Sequence, residues 1–263
     1  MSLLSLNGIE KVFGGLKALR GVTLEVESGQ IFGLIGPNGA GKTTAFNVVT
    51  GVYRPDAGSV RFDGEDISGW RPAQVASRGI ARTFQNIRVF RSMSVVENVL
   101  VAGHHLHQAS LFATLVHSRR LLEDERALRE KARELLDVMG LGEVANDVAG
   151  SLPYGSQRRL EIARALMLKP KLVLLDEPAA GMNSQEAEEL KKQIRFLRSE
   201  LGLTVLLVEH NMSVVMGVCD RIHVVDQGKT IAEGTPEEVR THPRVLAAYL
   251  GQETGSVPPK EDA

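Results

Sequence analysis

Polar and apolar positions along this chain follow two different rhythms. In "GVTLEVESG", Val22, Leu24 and Val26 alternate with Thr23, Glu25 and Glu27, and "VRFDGEDI" repeats the alternation around an Asp-Gly pair. A period of two marks strands with one buried face, and Asp-Gly marks a tight hairpin, so the first 70 residues read as a half-buried antiparallel sheet. Three later stretches do not alternate: "IFGLIG", "KLVLLDEP" and "TVLLVEH" are short unbroken apolar runs. Runs of that kind suit parallel strands covered on both faces. Helical segments separate them, so the expected core is α/β.

A middle block, about residues 86–165, carries helical spacing. "SMSVVENVLVAG" opens on a Ser94–Glu97 capping box and ends near Gly103. Leu121, Leu128, Ala132, Leu135 and Met139 then recur along a charged helix that stops at Gly140. Between these helices, "HHLHQASLFATLV" reads as a mobile or partner-facing insertion. His104, His105 and His107 lack acidic or cysteine neighbours at ligand spacing, which favours a solvated loop over a metal site. In "GTPEEVR", Thr235 caps a helix, Pro236 takes its first position and Glu238 closes the box. The closing "QETGSVPPKEDA" reads as a loose tail over 252–263, leaving one expected domain over 1–251.

Composition narrows the function. The 263 residues hold 31 basic and 32 acidic side chains, so bulk charge gives no reason to expect a nucleic-acid partner. The single cysteine, Cys219, cannot form an internal disulfide and reads as a small buried filler; Trp70 reads as a satellite-core or partner-facing aromatic. No apolar run approaches the roughly 20 residues of a membrane-spanning helix. Polar residues arrive too early in "MSLLSLNGIEKVF" for a signal peptide, so a cytosolic protein is expected, with contact to a membrane protein left open.

The strongest chemical signal is "GPNGAGKTT": Gly36, Pro37, Asn38, Gly39, Ala40, Gly41, Lys42, Thr43 and Thr44. An apolar strand precedes it and an apolar helix follows, which is the setting a P-loop requires. Its glycines let backbone N–H groups converge on a β-phosphate, and the helix N-terminus adds positive potential. Lys42 should reach the β- and γ-phosphates and Thr43 should ligate Mg²⁺, with the base of the nucleotide left open. "KLVLLDEP" supplies Asp176 for Mg²⁺ and Glu177 to polarise an attacking water. Taken singly, His210 reads as a strand-end histidine, Gln85 as a surface amide and Phe13 as a core aromatic.

Their order changes that reading. Phe13, the P-loop, Gln85, the segment 152–157, Asp176–Glu177 and His210 together resemble the ATP-binding cassette (ABC) ATPase family over residues 3–240. "ARTFQNIRVF", "YGSQRRLEIARAL", "DEPAAGMN" and "HPRVLAAYLG" are similar to the ATP-binding subunits of branched-chain, or hydrophobic, amino-acid importers. The resemblance implies an antiparallel β subdomain, a RecA-like parallel-sheet core and an inserted helical subdomain. It implies ATP and Mg²⁺ as ligands, with Phe13 on the adenine, His210 at the γ-phosphate, and Gln85 on Mg²⁺ or the water while sensing the membrane subunit. Asn183 stands where the family's D-loop has Asp; from the residues it also caps the helix "SQEAEELKKQIRFL", with Glu186 three positions on.

The family's signature segment, L-S-G-G-Q, caps the phosphates bound to a neighbouring subunit. Here it reads Leu152, Pro153, Tyr154, Gly155, Ser156, followed by Gln157. Pro153 removes a hydroxyl and an N–H that would donate to phosphate, while a helix expected to begin near Gln157 keeps its N-terminal dipole forward. The implied assembly has two integral-membrane permease subunits, a second and non-identical ATPase subunit, and indirectly a substrate-binding protein. Its implied place is the cytoplasmic face of a bacterial inner membrane. Rival readings are the ATPase of lipopolysaccharide extraction and a non-transport ABC ATPase acting on DNA or ribosomes. A P-loop GTPase would need an Asn-Lys-x-Asp segment, which the sequence lacks.

Overall fold

The computed structural model describes residues 2–84, 87–103 and 119–250. The insertion expected over 104–120 falls almost wholly outside them, as do Gln85 and the tail from 252. Contacts divide the chain into two compact units: the first joins residues 1–72 to 204–263, and the second is 73–203. The helical stretch expected over 86–165 lies in the second unit, together with two strands.

The chain opens with β1 (Ser2–Phe13) and β2 (Leu16–Glu27), an antiparallel pair whose partners include Leu6 with Leu24 and Ile9 with Val22. The expected alternation is realised, with Val22, Leu24 and Val26 buried and the residues between them exposed. Next come β3 (Ile31–Ile35), buried along its whole length, and α1 (Lys42–Val49). β4 (Ala57–Phe62) and β5 (Glu65–Asp66) follow, joined at Asp63 and Gly64, both at positive φ as a two-residue hairpin turn requires. The antiparallel sheet runs β2–β1–β4–β5.

The second unit begins as α2 (Pro72–Ser77) leads into β6 (Ile80–Arg82). α3 (Val95–Gly103) starts at the Ser94–Glu97 box: the Ser94 N–H donates to Glu97 Oε2 at 2.8 Å, and the Glu97 N–H returns to Ser94 Oγ at 3.3 Å. α4 (Arg119–Val138) buries Leu128, Ala132, Leu135 and Leu136 in one stripe, and Met139 and Gly140 close it. α5 (Tyr154–Leu166) is followed by β7 (Leu172–Asp176) and α6 (Ser184–Ser199). β6 and β7 pair in parallel, with Arg82 opposite Leu174.

The chain then returns to the first unit through β8 (Thr204–Val208), α7 (Met212–Val218), β9 (Arg221–Asp226) and β10 (Lys229–Gly234). There the strands lie in the order β10–β9–β3–β8, with β3 parallel to both β8 and β9. α8 (Pro236–Thr241), capped by Thr235 as expected, and α9 (Pro243–Leu250) complete the described chain. Among the described residues no helix is long and apolar enough to cross a membrane.

Candidate nucleotide site

In the first unit, β3 delivers the chain into the loop Gly36–Gly41, and α1 starts at Lys42. Two glycines carry this turn. Gly36 has φ of 153°, and a Cβ there would lie 2.0 Å from the Val225 carbonyl oxygen. Gly41, at φ 106°, would place one 2.7 Å from the Ala18 carbonyl oxygen. Any side chain at either position collides with backbone that cannot swing aside.

Gly41 occupies the N-cap of α1 and no side chain caps that end, so the first-turn N–H groups face a position suited to an anion. Lys42 is nearly buried and arches over the loop, donating to the carbonyls of Gly36 at 2.6 Å and Pro37 at 2.9 Å. An ammonium held above converging amide donors matches the charge and shape of a phosphate chain. Thr43 is exposed at the helix start and Thr44 half-buried behind it.

Phe13 departs from its core reading, with 40% of its surface exposed. Its ring stands edge-on to Tyr53 at 5.0 Å, and Lys11 Nζ lies 5.5 Å from its centroid, leaving a flat aromatic available to stack. At the end of β8 the buried Glu209 takes the backbone N–H of both His210 and Asn211 at 2.8 Å on one carboxylate oxygen. That fixes the backbone while the His210 ring stays 60% exposed. Asn211 caps α7 through the N–H groups of Ser213 and Val214. Burial pushes the Cys219 thiol up to about 12, with Asp220 adding to it, so the lone cysteine is no nucleophile.

The second unit carries the acidic pair. Asp176 ends β7 almost fully buried, and Arg82 on β6 reaches its Oδ2 at 2.8 Å. The Asp176 N–H faces Thr83 Oγ1 at 3.4 Å. Glu177 is half-buried at φ 47°, a left-handed conformation that costs a side-chain-bearing residue about 1–2 kcal/mol. Its carbonyl accepts from Arg158 Nη2 at 2.9 Å. Arg158 is fully buried and also donates Nη1 to the Phe84 carbonyl and to Glu161 Oε2.

The signature segment differs from expectation at its start. α5 begins at Tyr154, three residues earlier than expected, with Pro153 as its N-cap. Proline's fixed φ, here −55°, is compatible with a helix start and its missing N–H costs nothing there, so the helix reaches back to its edge. The Pro153 carbonyl accepts the Gln157 N–H at 3.0 Å, Gln157 Nε2 donates to the Leu152 carbonyl at 2.8 Å, and Arg159 holds Ser156 Oγ at 3.0 Å. Gly155 is buried, and a Cβ there would meet Glu186 Oε1 at 2.9 Å. Asn183 forms the full capping box with Glu186, and the exposed Tyr154 ring covers Gly181.

Four residues of this site went unread in the sequence: Arg82, Arg158, Glu161 and Glu209. Arg158 and Glu161 did carry a signal, since opposite charges at i and i+3 interrupt the otherwise apolar face of "RRLEIARAL". No group of three or more His, Cys, Asp or Glu residues able to hold a metal occurs among the described residues.

A strand–glycine loop–helix cradle and a buried strand ending in an acidic pair define a P-loop nucleoside triphosphatase. Comparison with known proteins narrows this class. Residues 19–180 match the ABC transporter family, and residues 229–254 match the branched-chain amino acid ATP-binding cassette transporter family. The chain is 48% identical over 250 residues to the high-affinity branched-chain amino acid transport ATP-binding protein BraF of Pseudomonas aeruginosa, covering 95% of this chain and 98% of that protein. It is 46% identical over the same length and shares to LivG of Escherichia coli, of the same description. The lipopolysaccharide export ATP-binding protein LptB of Haemophilus influenzae is 40% identical over 253 residues, covering 96% and 99%. Among solved structures, the ADP conformation of an ATP-binding cassette of an ABC transporter matches with a TM-score of 0.83 at 35% identity, over 95% of this chain and 99% of that one.

The chain belongs to the ABC transporter family. It is an ATP-binding, ATP-hydrolysing subunit whose turnover is coupled to transport.

Proposed function

We propose that this chain powers a bacterial importer of branched-chain or similarly hydrophobic amino acids, docked at the cytoplasmic face of the inner membrane. The observation that carries the substrate class is the match of the C-terminal residues 229–254 to the branched-chain amino-acid cassette family. LptB is also similar over nearly the whole chain, so the C-terminal segment favours one transport branch over the other. Two permease subunits, a substrate-binding protein and a second ATPase subunit complete the assembly.

Lys42 and backbone N–H groups of the glycine loop and the first turn of α1 hold the β- and γ-phosphates, and Phe13 stacks on adenine. Thr43, Gln85 and Asp176 are the residues that would hold Mg²⁺; hydroxyl, amide and carboxylate oxygens are the hard donors it takes. When bound, Mg²⁺ offsets negative charge on the β- and γ-phosphates. Glu177 orients the attacking water and draws its proton as the water oxygen bonds to the γ-phosphorus and the bond to the β-phosphate oxygen breaks. His210, held by its backbone and exposed at its ring, contacts the γ-phosphate.

Residues Leu152–Gln157 serve the ATP of the neighbouring subunit. Pro153 leaves that site short of a hydroxyl donor, a loss of about 1.5–3 kcal/mol for a charge-assisted hydrogen bond, which points to a neighbour of different sequence and to two unequal sites. Two measurements test the reading. The tagged chain should copurify with two multi-span membrane proteins and a second ATPase, and branched-chain amino acid with its binding protein should stimulate ATPase in vesicles. Recovery with ribosomes or DNA, or stimulation by lipopolysaccharide alone, would sink it. Pro153→Ser should raise ATPase of the assembled complex; an unchanged or lower rate removes the argument for unequal sites. Serine is also a better N-cap, so melting of the same variant separates stability from activity.

A further inference from the structure

We propose that the buried Arg158–Glu161 pair is a positioning device through which the signature helix sets this chain's own hydrolytic edge, so that the two ATP sites of the assembled pair communicate through it. The inference rests on the shared-site reading above.

A buried ion pair is poor evidence of stabilisation, because an apolar pair of the same volume often serves as well. This one is fully buried at Arg158 and nearly so at Glu161, and its hydrogen bonds suggest another purpose. Arg158 Nη1 donates to the Phe84 carbonyl, while Glu161 Oε1 accepts the Phe84 N–H at 3.2 Å. Both peptide groups of Phe84 are therefore gripped by one helix, and Phe84 directly precedes Gln85. Arg158 Nη2 reaches the other edge, accepted by the Glu177 carbonyl at 2.9 Å and more distantly by that of Asp176 at 3.5 Å. Arg82 and Arg88 flank the Phe84 ring at 5.2 and 4.2 Å, holding the segment from its side-chain face.

Arg158 stands one helical turn from Gly155. A turn of α-helix is about 5 Å long and moves as a unit. When Tyr154–Ser156 engage the neighbour's phosphate, any tilt of α5 is passed to Phe84, Asp176 and Glu177 by four charge-assisted hydrogen bonds. Arg158 and Glu161 touch neither ATP nor water in this scheme; they act through Gln85 and Glu177.

The test uses the complete transporter with Glu161→Gln, Arg158→Lys and the double variant Arg158→Met/Glu161→Leu, which leaves no unpaired charge. Wild type should hydrolyse ATP with a Hill coefficient above one. The Gln and double variants should fall toward one, with kcat reduced about tenfold or more. Affinity for a non-hydrolysable ATP analogue should change by less than about twofold, since the P-loop is untouched. Amide exchange at Phe84 should quicken about tenfold in Glu161→Gln, and Arg158→Lys should recover part of the cooperativity. Folded variants with wild-type Hill coefficient and kcat would overturn the proposal. So would non-cooperative hydrolysis by wild type, or unfolding of all three variants, which marks the pair as merely structural. A wild-type complex that hydrolyses no ATP defeats the function itself and is distinguishable from all of these.

Discussion

Around Gly36–Thr43 the chemistry is carried by backbone: amides, a helix end, and a lysine that arches over its own loop. Around Asp176 and Glu177 it is carried by side chains gathered from β6, the loop after it, and α5. The first construction is local, spanning eight consecutive residues of sequence. The second draws on positions as far apart as Arg82 and Glu177. A local backbone device tolerates change only where no Cβ is forbidden. A dispersed side-chain device fails wherever one of its members is lost, but each loss shows in a different observable.

The largest effect should come from the acid itself. Glu177→Gln keeps the shape and removes the proposed proton acceptor, and loss of general-base help should lower turnover about 10²–10⁴-fold. Phosphate release should collapse while ATP still binds; a variant that keeps turning over would remove Glu177 from the chemistry. Arg82→Gln attacks the same half through stability. Breaking one side of a buried ion pair costs about 3–5 kcal/mol, because Asp176 is left charged and uncompensated. Its melting temperature should fall in metal-free buffer and recover in part with Mg²⁺ and ATP, and an equal loss in both conditions would argue against Asp176 as a metal ligand.

Lys42→Ala probes the backbone half. Loss of a charged donor to phosphate weakens binding by about 1.5–3 kcal/mol, or roughly 10- to 150-fold, and titration with fluorescent ATP reads this directly. Unaltered affinity would mean that the amides suffice. The smallest effect lies away from both halves, on β9 and β10. His223 is fully buried, with Nδ1 2.8 Å from Glu233 and Nε2 2.9 Å from Thr230. The His223 hydrogen bond, and after it that from Arg221, holds the Glu233 carboxyl below the usual range. A depressed folded value means that its contribution is complete above the ordinary glutamate range and is lost as pH falls through the folded value. Acid melting curves should separate wild type from Glu233→Gln at neutral pH and converge in that acid window.

The same contrast explains what could be read from sequence. The P-loop, the alternating strands and the boxes at Ser94, Asn183 and Thr235 are encoded within a few residues, so their patterns survive in one dimension. The buried runs of β3, β7 and β8 were equally plain, because a strand covered on both faces has no polar alternation to confuse it. Arg82, Arg158 and Glu161 were invisible as a group. Their meaning comes from pairing across 74 or more positions, for which no local periodicity exists. Phe13 is hard to place in isolation for a related reason: burial depends on what lies opposite, and beside Tyr53 and Lys11 it keeps 40% of its surface exposed. α5 starts earlier than the loss of a donor at Pro153 alone would predict, because proline's fixed φ also suits the step into a helix.

The left-handed backbone at Glu177 carries a warning for anyone who engineers this protein for thermal endurance. Glycine accepts that conformation without steric strain, so a selection that rewards survival on heating alone can favour replacing the acid there. On the role proposed for Glu177, the hardiest clones from such a selection would be inert, and position 177 is best held fixed before the screen begins.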